Sequence, residues 1–278
     1  MDSLYAIAER CLQAVEPEEK VRLTAEAAAG WRSGQLALAE AQPPVPIGDP
    51  GRPDRPRLVP PRALPARGLG STEGHAAFVH AVAHIEFNAI NLAWDAVYRF
   101  RGLPSGYYGD WIAVAAEEAR HFQAVSEHLG RLGWAYGDFD AHDGLWEMAR
   151  RTAADPLERM ALVPRVLEAR GLDVTPGMRA RLEALGDHLG AGVLSYILRE
   201  EVGHVGRGSH WFRELCAQRG LAQLPTFRTL LARHFKGGVR GPLNLQARRE
   251  AGFSDEELEW LATLTSGPRT ADDTRLTQ

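Results

Sequence analysis

Apolar residues recur every three to four positions along most of this 278-residue chain, a spacing that predicts helices. Residues 3–15 and 18–41 read as two helices separated by Glu16 and Pro17, with Leu4, Ile7, Ala8, Cys11 and Val15 on one stripe. Gln42 to Gly70 holds nine of the 17 prolines and predicts an extended run, either laid over a helical bundle or serving as a flexible interdomain linker. A long helix follows over 71–100, its apolar face formed by Val79, Val82, Ala83, Ile90, Ala93 and Val97. After a turn at Gly102–Gly106, a second helix carries Trp111, Val114, Ala115, Phe122, Val125 and Leu129 on one face and stops at Leu132-Gly133.

A connection over 134–154 includes a short helix near 144–152. Asp155 and Pro156 give a strong start signal for a third long helix, expected to reach Arg170-Gly171 with a kink at Pro164. Thr175 and Pro176 predict the start of a fourth, running to Arg219-Gly220 and weakened by Gly186, Gly190 and Gly192. Smaller helices are expected near 225–235, 243–251 and 255–264, the last opened by a capping box of Ser254 and Glu257, with a disordered tail from Gly267. The expected fold is all-α. It comprises an N-terminal helical extension (1–41), a Pro-rich segment (42–70), a four-helix bundle (71–220) and a C-terminal helical extension with its tail (221–278).

The apolar stripes are interrupted by carboxylates. Glu86 sits in the middle of the first bundle helix's buried face, where an unpaired charge costs several kcal/mol. Glu118 and His121 share the core face of the second helix as an E-x-x-H pair, and Glu201 and His204 repeat the pair on the fourth. Glu86 precedes Glu118 by 118 − 86 = 32 residues, and Glu168 precedes Glu201 by 201 − 168 = 33. That is about the length of a helix, a turn and a return helix. Four Glu and two His so arranged form the ligand set of a carboxylate-bridged two-metal site in a four-helix bundle. Two divalent ions balance the four negative charges, and oxygen and imidazole donors without thiolate suit iron, manganese or a mixed pair.

Each ligating His needs an acceptor for its other ring nitrogen; Glu117 and Glu200 are candidates, or else solvent-facing charges. His84, Asn88, Asn91 and Asp95 follow a separate stripe that either packs on another helix or lines a cavity.

Composition narrows the field. The net charge of −4 demands neither nucleic acid nor an anionic membrane, and no 18-residue apolar run occurs. Two cysteines cannot form a thiolate metal site or a disulfide framework, so a cytoplasmic protein is expected. The C-terminal end is locally basic through Arg228, Arg233, Lys236, Arg240, Arg248 and Arg249, read as a solvated helix surface with RNA or phosphate binding as the alternative.

On these residues the chain resembles the ferritin-like superfamily of di-metal carboxylate proteins. The segments HIEFNAINLAWDAVYRF, DWIAVAAEEARHF, YGDFDAHDGLW, EARGLDV, EEVGHVGRGSHWF and NLQARREAGF resemble an uncharacterised bacterial family of that type, a domain of unknown function. The resemblance implies Glu86, Glu118, His121, Glu168, Glu201 and His204 as ligands of two metal ions. It places catalysis at Glu118 and Glu201, with Glu118 bridging the ions together with Glu168 or Glu201. By the same resemblance Arg120 would hold a carboxylate behind the ligands. Gly203 replaces the Arg often found in the second motif, a departure from the large multicomponent hydroxylases.

Three functions fit this reading. The first is an oxygenase or oxidase acting on a small organic substrate with a separate electron donor. The second is an iron-oxidising or peroxide-scavenging protein, and the third a non-catalytic binding protein. A monomer or small homo-oligomer is expected rather than a cage.

Overall fold

Long helices here begin and end where local chemistry satisfies their free backbone groups. In the computed structural model, which describes residues 2–38, 43–65, 68–235 and 239–265, the chain divides into two units, 1–153 and 154–278. Among the described residues the structure is helical, apart from a two-residue parallel pairing of β1 (Asp2–Ser3) with β2 (Leu36–Ala37) and one isolated bridge. None of the described helices is long and apolar enough to cross a membrane.

In the first unit, α1 (Leu4–Gln13) and α2 (Pro17–Arg32) pack on a helical hairpin of α3 (Thr72–Arg99) and α4 (Ser105–Arg131). Ser71 caps α3 by accepting the Gly74 N–H. Helix α2 is shorter than the 18–41 expected. Gly34 takes a left-handed φ of 71°, and the Gln35 N–H bonds back to the Gly30 carbonyl, a Schellman stop. Residues 39–42 lie outside the described ones.

Lys20 is fully buried and donates to the Cys11 and Leu12 carbonyls, serving the open C-terminal end of α1; burial pushes its amine down to about 7. The described Pro-rich residues lie in this unit and run without regular structure except for a 3-10 turn at Pro61–Ala63. Gly51 N–H bonds Leu12, the Gly48 carbonyl accepts from Trp146 of α5 (Gly144–Arg151), and Leu58 bridges Ala141.

In the second unit, α6 (Pro156–Leu162) begins as expected, Asp155 accepting the Leu157 N–H. It passes into a six-residue π-helical segment, Val163–Glu168, and then α7 (Ala169–Ala184). The kink expected at Pro164 is therefore a widened turn. The third long helix also continues well past Gly171, with Pro176 inside it. Thr175 and Pro176 mimic a helix start, but the real break is Gly186, at a φ of 80°. Asp187 then caps α8 (His188–Gln218) by accepting the Gly190 N–H.

Three smaller helices follow: α9 (Gln223–His234), α10 (Leu245–Glu250) and α11 (Asp255–Thr265). The capping box holds: the Ser254 N–H donates to Glu257, and the Glu257 N–H to the Ser254 hydroxyl. At the basic end Arg228, Arg233, Arg240 and Arg249 are exposed, as a solvated surface requires, and Arg248 departs from it. Arg248 is buried in a two-bond pair with Asp173, Arg233 bonds Glu158, and Arg228 lies over Trp260. Lys236 and the tail from Gly267 fall outside the described residues.

Candidate metal centre

The α3–α4 hairpin brings three expected ligands together. Glu86, Glu118 and His121 each present a donor atom, all within 4.8 Å of one another. Donors about 2.0–2.4 Å from one cation are separated by no more than roughly that distance, so one ion fits all three. Glu118 and His121 are wholly buried and Glu86 is 5% exposed. His121 Nδ1 lies 3.1 Å from Glu118 Oε2 and 3.2 Å from Glu86 Oε2. Burial alone pulls this imidazole down, but hydrogen bonds and charge from Glu118 and Glu86 outweigh it and raise it to about 11. A proton on Nδ1 thus holds the place a metal cation would take, between two carboxylates. The donor set fits a divalent ion, since 2+ against two carboxylates and a neutral imidazole leaves no net charge.

The second unit carries the other three expected ligands. His204 is fully buried on α8, its Nδ1 3.4 Å from Glu201 Oε1 one turn before it. Glu168, half-buried, closes the π segment, which packs on α8. That packing is tight: a Cβ built on Gly208 of α8 would stand 2.2 Å from Pro164 Cγ. Gly208→Ala should destabilise the protein by about 1–3 kcal/mol in urea unfolding, because the ring and the helix must part.

Of the residues expected behind the ligands, Glu117 and Glu200 are half-buried. Arg120 is exposed, and its guanidinium donates to the Ala116 carbonyl.

Three residues of the polar stripe on α3 make hydrogen bonds, while the fully buried amide of Asn91 has no partner among the described residues. His84 Nδ1 lies 2.9 Å from the Tyr136 hydroxyl, and Nε2 lies 3.1 Å from both the His142 carbonyl and the Asn88 amide nitrogen. Asn88 donates to the His84 carbonyl, and Asp95 pairs with Arg99. His80, which sequence reasoning left unassigned, stacks on Tyr136 and accepts the Gly137 N–H. Tyr136, also unassigned, packs against Phe87 and Phe122, the immediate neighbours of Glu86 and His121. A His pair four residues apart on the first bundle helix was the available signal.

Burial pushes His80 and His84 down to about 4. Their folded values lie below the ordinary 6.5, so the unfolded chain binds more protons between the two. Stability of the metal-free protein should fall as pH drops from 6.5 to 4. His121 adds no slope there, its contribution being complete below 6.5. Urea unfolding across that window should show the fall, and His84→Gln should reduce it.

No solved structure matches this chain. A protein of Haemophilus influenzae, described as uncharacterized, is 44% identical over 263 residues, covering 91% of each chain. The family described as "Protein of unknown function (DUF455)" matches residues 13–259, which include all six expected ligands, and the chain belongs to that family.

Proposed function

We propose that the chain is a ferritin-like di-metal oxidoreductase that uses dioxygen to oxidise an organic substrate. In this reading the triads Glu86–Glu118–His121 and Glu168–Glu201–His204 are the ligands of the ions, iron or an iron–manganese pair. The observation that carries it is the first triad: two carboxylates and an imidazole converging in a buried site, with His121 Nδ1 3.1 and 3.2 Å from the two carboxylates. The second unit offers the same three residue types, with Glu201 and His204 again one turn apart.

When bound, iron supplies the electrons that dioxygen accepts, which none of these side chains can do. The chain's own residues do the rest. Glu118 and Glu201 would offset the positive charge of the ions, and His121 would give up its Nδ1 proton on loading. Phe87 and Phe122, next in sequence to Glu86 and His121, pack on each other with ring centroids 5.4 Å apart and are buried. A monomer or small homo-oligomer, with a separate electron donor, completes the proposal.

The test is anaerobic loading with Fe(II) followed by mixing with dioxygen and optical monitoring. Limited oxidation, stoichiometric with two ions per chain and accelerated by an organic substrate, supports the reading. Rapid turnover of excess Fe(II) without any organic partner would assign iron handling instead.

A further inference from the structure

The π segment poses its own question. A widened turn contains one residue more than an α-turn, so everything after it is rotated by about 100° relative to an uninterrupted helix. Glu168 closes this segment, so the direction of its carboxylate depends on the wide turn persisting. Pro164 permits the irregularity by lacking an N–H, but a proline is equally compatible with a simple kink. Something else must select the wide form.

Arg165, in the middle of the segment, is 2% exposed. Its guanidinium lies 4.5 Å from the ring centroid of Phe212, 4.4 Å from that of Phe227 and 4.5 Å from that of Phe253. Nη2 donates to Glu257 at 2.6 Å. Nε and Nη1 have no hydrogen-bond acceptor among the described residues, and the aromatic faces take that place. Glu257 is itself buried and fixed by the Ser254 N–H through the capping box of α11. A guanidinium held on several sides tolerates little rotation. Were the turn to relax to α-helical pitch, the side chains within it would swing about the axis and Arg165 would leave its cage.

We propose that Arg165 is a positioning residue for the metal centre: anchored by Glu257 and three phenylalanines, it selects the π-helical turn and thereby sets where the Glu168 carboxylate points. The C-terminal helices then act as the mould for a ligand rather than as a separate module. The functional half of this rests on the two-metal reading above; the structural half does not.

The experiment compares wild type with Arg165→Met, and with Arg165→Met/Glu257→Met should the single variant fail to fold, since replacing a whole buried ion pair by apolar residues is often tolerated. Crystal structures of the metal-free proteins read the turn directly. Fe(II) titration under anaerobic conditions reads the ligand set. Leu182→Ala, which opens a cavity at the far end of α7 in the same unit, serves as the control for lost stability alone.

The expected result is an α-helical turn at 163–168 and at least a tenfold weaker second ion in the Arg165 variants, with both ions retained in the control. A variant that keeps the π turn overturns the proposal whatever its metal content. A variant that loses the turn yet binds both ions as wild type does overturns the positioning role. A wild type that binds no metal, beside a variant whose turn has relaxed, sinks the two-metal reading and the positioning role while upholding the cage's hold on the turn.

Discussion

His121→Ala should remove metal from the first triad and also weaken the metal-free fold by about 3–5 kcal/mol. The imidazolium is the positive group between Glu86 and Glu118, at 3.2 and 3.1 Å. Without it two carboxylates remain, one wholly buried and the other 5% exposed. Breaking a buried charge cluster by deleting one member costs more than the cluster contributed, because the survivors stay desolvated. Surface histidine substitutions rarely exceed half a kcal/mol, so an effect of this size identifies the site. Urea unfolding with chelator present measures the fold, and metal analysis measures the centre. The wild-type imidazole, raised to about 11, also predicts that loading near neutral pH displaces a proton from Nδ1. Metal affinity should therefore increase with pH through that range.

Asp173→Ala should cost a similar amount, about 3–5 kcal/mol, with no metal dependence. Arg248 gives Asp173 two hydrogen bonds, from Nε at 2.9 Å and Nη2 at 2.7 Å, and the Asn244 N–H gives it a third. Arg248 is 1% exposed, so removing the carboxylate strands a guanidinium and frees the start of α10 from α7. The double replacement Asp173→Leu/Arg248→Met should recover most of the loss, since the one charge then left without its carboxylate, Arg170, is partly exposed. Full loss in the double variant would mean that packing rather than charge dominates there.

The α3–α4 hairpin and its triad were readable because two signals conflicted. A 3.6-residue apolar period buries Glu86, and only a proton or a cation makes that tolerable. The remaining features depended on partners remote in sequence. Arg248 looked like a solvated helix charge because Asp173 lies 75 residues away. Pro164 announced an irregular turn, but its π form involves a guanidinium whose anchor, Glu257, is 92 residues away. The boundary between the third and fourth long helices was misplaced for a local reason. Thr175 and Pro176 carry the chemistry of a helix start, while Gly186 resembles one more weak glycine until its left-handed φ is seen. Tyr136 gave no signal, because a tyrosine in a connecting segment acquires meaning only beside His84 and Phe87.

The central claim is that six side chains bind two ions, and metal stoichiometry tests it most directly. Protein purified from iron-replete cells, or loaded anaerobically with Fe(II) and desalted, should carry two metal ions per chain. Glu118→Ala and Glu201→Ala should each lose at least one. A wild-type chain that retains no metal after such loading, with its helices intact, would contradict the account.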